Sequence, residues 1–226
     1  MSRGRGDMGG RAPFGRKNRT ESSNRWLRRQ QSDPYVQRAK AEGYRSRSAY
    51  KLLELDASIG LLKPGATVID LGSAPGGWLQ VAAAKRCRIV GIDLLPVEPV
   101  TGADILAGDF TDAALQEAIR AKAAGPVHLV MSDMAANATG TRAVDRLRAE
   151  GLAEAVLAFA FEVLAPDGAV VIKLVKGAEA NVIQTAKPAF GSVRLVRPPA
   201  TRRDSSEVYL VATRFRGVRP DTPEPA

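Results

Sequence analysis

The nine residues "DLGSAPGGW", Asp70 to Trp78, constrain this chain more than any others. They follow the apolar run Ala66-Thr67-Val68-Ile69 and lead into "LQVAAAK", a helix-forming segment. A buried strand, a glycine-rich turn and a helix in that order form the first crossover of an open α/β sheet. Ligands of such sheets bind beyond the carboxyl ends of the strands, and glycines there let a backbone come close to them.

The rest of the chain supports that frame. Strand patterns at "TVIDL", "RIVGIDLL", "ADILAGD", "VHLVMSD" and "GAVVIKLV" alternate with helical patterns at "DAALQEAIRAKAA", residues 144–164 and "AEANVIQTAKPAF". "SVRLVRP" and "EVYLVATRF" close the series as strands with no helix between them. The expected fold is α/β: a Rossmann-like, largely parallel seven-stranded sheet with an antiparallel edge hairpin and helices on both faces. Ahead of it, Ser46 or Ser48 is expected to cap a helix carrying Tyr50, Leu52, Leu53 and Leu55 on its apolar side. There is no internal repeat.

Charge divides the chain unevenly. Residues 1–51 hold 14 basic and 4 acidic residues, a net of +10, whereas residues 52–226 hold 19 and 20, a net of −1. A near-neutral domain with a basic front end suggests a polyanionic partner, most often nucleic acid. Residues 1–33 lack apolar periodicity and read as a basic, disordered arm, its "RGRG" and "GGR" suited to single strands or to solubility alone. The folded core is expected over residues 34–214 and a flexible tail over 215–226. No apolar run approaches about 18 residues, so no membrane span is expected. A single cysteine, Cys87, read as core filler, fits a reducing cytoplasm. A single histidine, His128, is read as a core residue of its strand, and no metal site is expected.

The glycine loop is neither a phosphate loop nor a dinucleotide fingerprint. It has no G-K-[ST], and Ala74 interrupts the G-x-G-x-x-G pattern. It opens on Asp70, which suits a cationic ligand better than a pyrophosphate. Asp93, 23 residues on, ends the next strand where a carboxylate can accept from both ribose hydroxyls, and Asp109 follows the short third strand, within reach of an adenine amino group. S-adenosylmethionine, with a sulfonium, an ammonium and an adenosine but no phosphate, meets these requirements. The expected contacts are Asp70, Gly72, Pro75, Gly76, Gly77, Trp78, Asp93, Asp109 and Asp133. A tight turn with two capping aspartates is the purely structural alternative.

"GYRSRSAYKLLELD", "KPGATVIDLGSAPGGWLQV", "GIDLLPVEP", "GDFTD", "VMSDMAAN" and "SSEVYLVAT" together resemble the FtsJ/RlmE family of RNA 2′-O-ribose methyltransferases, in the family's order and over about residues 34–214. The resemblance implies a catalytic Lys-Asp-Lys-Glu tetrad at Lys51, Asp133, Lys173 and Glu207. The residues support it independently: Asp133 and Lys173 close apolar strands, Glu207 opens the last one, and charges in such places need partners or a function. A ribose hydroxyl must lose its proton as it attacks a sulfonium methyl. The resemblance gives that proton to Lys173, with Lys51 as a second cation and the carboxylates as orienting groups. Taken singly, Lys51 also reads as a snorkelling lysine, Asp133 as a turn cap, and Lys173 with Glu207 as an ion pair.

Two positions depart from the family's pattern, Ala136 in place of proline and Val175 in place of an aromatic residue, the latter followed by Lys176. Bacterial members of this size imply a uridine ribose in large-subunit ribosomal RNA as target, and other relatives transfer RNA or messenger caps. Phosphate contacts are expected from Arg38, Lys40, Arg45, Arg47, Lys176, Arg202 and Arg203, which would position RNA without reading it. So little recognition surface points to the assembled large ribosomal subunit as partner, and the lack of an exposed apolar stripe in the sequence points to a monomer. The competing readings are a non-catalytic ribosome assembly factor and a small-molecule methyltransferase, the latter disfavoured by the basic front end.

Overall fold

The computed structural model describes residues 32–218, so residues 1–31 of the expected arm and 219–226 of the expected tail lie outside the described residues. The elements in chain order are α1 (Pro34–Glu42), α2 (Ala49–Ile59), β1 (Thr67–Leu71), α3 (Gly77–Ala84), β2 (Arg88–Asp93), β3 (Ala103–Ala107), α4 (Ala113–Ala123), β4 (Val127–Ser132), α5 (Arg142–Val163), β5 (Leu164–Val175), α6 (Ala180–Ala189), β6 (Phe190–Val196) and β7 (Glu207–Phe215).

The seven strands lie in the order β3-β2-β1-β4-β5-β7-β6. The first five pair in parallel, while β7 runs antiparallel to both β5 and β6. The expected hairpin is therefore present, with its second strand inserted between β5 and β6. The chain runs outward from β1 through β2 and β3, then returns to β4 on the other side. Carboxyl ends of β1 and β4 therefore flank the crevice where such sheets take ligands. All five β1 residues are buried, as a central parallel strand covered on both faces requires.

Helices α4, α5 and α6 cover one face through a cluster that includes Ile69, Val130, Leu157, Ile172 and Phe190. On the other, α2 and α3 cover a cluster that includes Leu52, Val68, Trp78, Met131 and Tyr209. Helix α1 lies outside α2, joined through Ala39, Tyr50 and Ala200. The buried residues of α5 begin only at Ala153, so its first three turns project past the sheet edge.

Two local expectations are corrected. Ser48 stands at the start of α2 with helical backbone angles and makes no capping bond; its hydroxyl is paired at 2.6 Å with that of Ser46. His128 is exposed rather than in the core. It lies at the register irregularity between the buried Val127 and Leu129 of β4, and its Nδ1 accepts the Thr67 N–H at 3.0 Å. Cys87 is buried, as expected.

Candidate active site

The four charged residues singled out from the sequence meet at the carboxyl edge of the sheet. Lys173 pairs with Tyr209, and Val175 with Glu207, across β5 and β7. Side chains alternate along a strand, so Lys173, Glu207 and Tyr209 share one face. Asp133 follows β4, which neighbours β5, and α2 lowers Lys51 onto the same face. Lys51 Nζ lies 2.9 Å from Glu207 Oε2 and 3.6 Å from Asp133 Oδ1. Lys173 Nζ lies 3.3 Å from the same Asp133 oxygen and donates to the Asp133 main-chain carbonyl.

Both ammonium groups are nearly out of solvent, at 9% and 10% side-chain exposure. Isolated charges that deep would be prohibitive, and two lysines against two carboxylates balance one another. Burial pushes the Glu207 carboxyl up, but the Lys51 charge and hydrogen bond, with help from Lys173 and Ser205, outweigh it and hold the group below its ordinary value.

Tyr209, which sequence reasoning passed over, belongs to the cluster. Its buried hydroxyl donates to Asp133 Oδ1 at 2.5 Å, and its ring lies 5.6 Å from Lys51 Nζ. Burial first, then the Asp133 charge, raise its phenol far above the ordinary value, so it remains a donor. Its only sequence signal was an aromatic residue two places after Glu207.

The glycine loop turns out to serve two sides. Its first half borders a cleft of about 820 Å³, lined by Gly72, Ala74, Asp93, Asp109, Asp133 and Lys173 among others. Gly72 has φ +81°, and a side chain there would collide with Met134 of the opposite wall. The second half faces the α1–α2 connection instead. Arg45 lies over Gly76 and Ser46 over Gly77, each too close to admit a Cβ. Trp78 is buried against Tyr209 and donates its indole N–H to the Ser48 carbonyl at 2.9 Å, which fixes the start of α2 and with it Lys51. Of the expected cofactor contacts, Gly72, Asp93, Asp109 and Asp133 border the cleft. Pro75, Gly76, Gly77 and Trp78 do not; they clamp the segment that carries Lys51.

Asp70, two positions before Gly72 on β1, does not border the cleft; it is 1% exposed, and neither carboxyl oxygen has a hydrogen-bond partner. Burial, then the charges of Asp133 and Asp93, push its carboxyl well above the ordinary value. Asp93 accepts from the N–H groups of Ala74 and Leu95, both at 2.8 Å, which aims it along the cleft. Thr111 donates through its N–H and its hydroxyl to Asp109 and holds that carboxyl below the ordinary value. Three carboxylates on the walls of the cleft, with the unpartnered buried acid of Asp70 electrostatically coupled to two of them, fit a cationic ligand such as S-adenosylmethionine.

The cations expected to meet phosphate divide into two groups. Arg45 spends its guanidinium on the carbonyls of Pro75, Glu98 and Pro99. Arg47 and Arg202 both bind Asp33, each at 3.0 Å, and Arg47 also donates to the Ala200 carbonyl. Arg38 pairs with Glu42 and covers the Tyr50 ring. These four hold the front of the domain together. Lys40, Lys176 and Arg203 are exposed, with no ion pair among the described residues.

A second cavity of about 660 Å³ adjoins the cleft, separated from it by residues 134–136 and sharing Lys173 with it. Arg142 and Arg146 of α5 border it, as does Lys176, while Arg148 borders the cleft. No sequence motif marked these arginines, because their relevance depends on where the projecting end of α5 lies.

Comparison with known proteins decides the family. The FtsJ-like methyltransferase family matches residues 44–215. The chain belongs to it. Among curated proteins, the ribosomal RNA large subunit methyltransferase E of Acidiphilium cryptum is 52% identical over 202 residues, covering 88% of each chain. The protein of that name from Gluconobacter oxydans is 50% identical over 203 residues, 89% of this chain and 76% of its own. A solved structure from Plasmodium falciparum, described as a ribosomal RNA methyltransferase, superimposes with a TM-score of 0.70 at 26% identity over 77% of this chain and 100% of its own. The tetrad and cleft thus sit on an FtsJ-like methyltransferase domain.

Proposed function

We propose that this enzyme transfers the methyl group of S-adenosylmethionine to the ribose 2′-hydroxyl of a uridine in large-subunit ribosomal RNA, within the assembled subunit. The observation that carries the reading is the convergence of Lys51, Asp133, Lys173 and Glu207 at the mouth of a carboxylate-lined cleft. The names of the curated relatives support the ribosomal substrate.

Asp70, Asp93, Asp109 and Asp133 would hold the cofactor, which when bound supplies an electrophilic methyl on a sulfonium. Lys173 borders the cleft and, in its neutral form, accepts the proton of the ribose hydroxyl. Asp133 fixes Lys173 through both its carboxylate and its main-chain carbonyl, and Tyr209 fixes Asp133 in turn. Lys51 and Glu207 complete a charge-balanced frame that restricts how the hydroxyl approaches, and alignment of that kind supplies much of the rate. Lys176 and Arg203, both exposed, would contact phosphate. All four tetrad residues come from one chain, which suits a monomer. Among the described residues no helix is long and apolar enough to cross a membrane, and a cytoplasmic location accords with a ribosomal substrate.

The test is methyl transfer from labelled S-adenosylmethionine to large subunits lacking the modification, wild type beside Lys173→Ala, with the product read as a nuclease-resistant 2′-O-methyl nucleoside. Transfer by wild type and its loss in a variant that still binds cofactor are expected. Failure of wild type to transfer, with cofactor bound, would turn the reading toward another RNA or toward a non-catalytic assembly factor. Equal rates on subunits and deproteinised RNA would refute the assembled-subunit preference.

A further inference from the structure

Charge is polarised across the sheet. Between Leu61 and Asp93 the chain holds four basic residues, Lys63, Lys85, Arg86 and Arg88, and two acidic ones, Asp70 and Asp93. The acids lie late in β1 and at the end of β2, toward the candidate active site. All four cations lie at the opposite, amino edge, in the loop before β1, the turn after α3 and the first position of β2. None of them takes part in the site described above.

This edge holds its cations in place. The Gly65 and Arg88 N–H groups donate to the Arg86 and Ala66 carbonyls, each at 2.9 Å, and the Cys87 thiol donates to the Lys63 carbonyl at 3.4 Å. These bonds tie the loop before β1 to the turn after α3. Lys85 is paired with Asp56 at 2.8 Å and Lys122 with Asp104 at 3.4 Å, so those two carboxylates are engaged. Lys63, Arg86 and Arg88 are exposed, and among the described residues none of the three pairs with a carboxylate. Arg88 spends one guanidinium nitrogen on the Lys122 carbonyl at 3.1 Å.

Arg86 supplies a second, independent sign. Helix α3 closes with the Arg86 N–H on the Ala83 carbonyl at 2.8 Å and the Cys87 N–H on the Ala82 carbonyl at 3.1 Å. That pattern makes Arg86, with φ +60°, the left-handed residue of a Schellman turn. Glycine usually stands there, because the conformation crowds a Cβ. A strained arginine on the surface points to a use for its side chain.

The five residues of β1 put about 15 Å between the two edges. An RNA strand whose ribose meets Lys173 lies at the carboxyl edge, so the amino edge faces something else. Guanidinium and ammonium groups at fixed positions, free of carboxylates, suit phosphates. Resting on the reading of the assembled large subunit as substrate, we propose that the amino edge of the sheet grips a second segment of ribosomal RNA. Lys63, Arg86 and Arg88 hold its phosphates, while the carboxyl edge holds the segment to be methylated. Full affinity then needs two segments that only the folded particle sets side by side, which gives the subunit preference a physical basis.

Arg86→Gly and Lys63→Gln, singly and together, test this on large subunits lacking the modification and on the same RNA deproteinised. Arg86→Gly relieves the backbone, so it should melt no lower than wild type, and weaker binding by it is not a folding defect. At about 0.1 M salt each substitution is expected to weaken subunit binding by on the order of tenfold and to reduce the slope of log affinity against log salt by about one. Methyl transfer should show the loss in KM, with kcat and cofactor affinity unchanged, and deproteinised RNA should register neither substitution. Subunit binding at wild-type strength in the double variant overturns the proposal. Equal weakening on subunits and on deproteinised RNA overturns it too, because it shows only a general attraction for polyanions. Weaker subunit binding with an unchanged salt slope overturns the RNA contact in favour of an acidic protein of the particle. Inactive wild type whose subunit binding still depends on Arg86 sinks the methyltransferase reading and supports the second contact.

Discussion

The Tyr209 hydroxyl donates to the same Asp133 oxygen that faces both Lys51 and Lys173, so one carboxylate oxygen organises three donors from three elements. Tyr209→Phe removes the shortest of these bonds and leaves the ring in place. A hydrogen bond to a charged group is worth about 1.5–3 kcal/mol. We expect kcat to fall by about tenfold to a hundredfold while cofactor affinity stays near wild type, measured by single-turnover transfer beside calorimetric titration. An unchanged kcat would show that Lys173 and Lys51 hold Asp133 without it.

Lys51 and Glu207 should be coupled in stability. In a double-mutant cycle with Lys51→Met and Glu207→Gln, a coupling of about 0.5–3 kcal/mol is expected from denaturant midpoints. The pH dependence follows in sign. The folded Glu207 carboxyl lies below its ordinary value of 4.5, so its stabilisation is present above that value and is lost as pH falls through the folded value. Lys51→Met should remove this part of the acid loss. An identical acid limb in the two proteins would contradict the assignment.

Asp70 should register cofactor binding as a proton. Its folded carboxyl is raised, so the ligand-free protein loses stability as pH rises from the ordinary value of 3.8 toward the folded one. A cationic ligand beside it favours the ionised form, so binding S-adenosylmethionine should release a proton. Titrations in buffers of different ionisation enthalpy read this directly. Asp70→Asn should abolish the release, weaken binding and raise the melting temperature of the ligand-free protein, by about 2–4 °C for each kcal/mol gained. Proton release equal in both proteins would exclude Asp70 as the source.

The Asp33 clasp should matter for stability. Asp33 accepts from the Tyr35 N–H as the cap of α1 and binds Arg47 and Arg202 through its other oxygen. Asp33→Asn keeps the cap and loses both ion pairs, whereas Asp33→Ala loses everything. The alanine variant should be less stable than the asparagine variant by about 1 kcal/mol, the usual value of a cap, and both less stable than wild type. Equal melting points for all three would mean that the two arginines do not depend on Asp33.

Much of the candidate site was legible because its chemistry is at odds with its local sequence. Lys173 within "VVIKLV", Asp133 after "HLVMS" and Asp70 after "TVI" are charges against apolar runs, and such charges demand an explanation whatever the fold. His128 misled because an apolar run does not disclose a register irregularity such as the one between Val127 and Leu129. Ser48 misled because its composition suits a cap while its carbonyl is held by Trp78, a residue 30 positions away.

Strand-helix alternation, the glycine crossover and the four charged positions could all be read from the chain, since periodicity and strand-end charges are local properties. Which side each loop residue serves emerges from the folded arrangement alone. Gly72 opens the cleft, whereas Gly76, Gly77 and Trp78 anchor α2, and Arg45, Arg47 and Arg202 turn inward to carbonyls and to Asp33. It also brought Tyr209 to Asp133, which depends on the pairing of β7 with β5, and such long-range contacts leave no trace in the neighbouring residues.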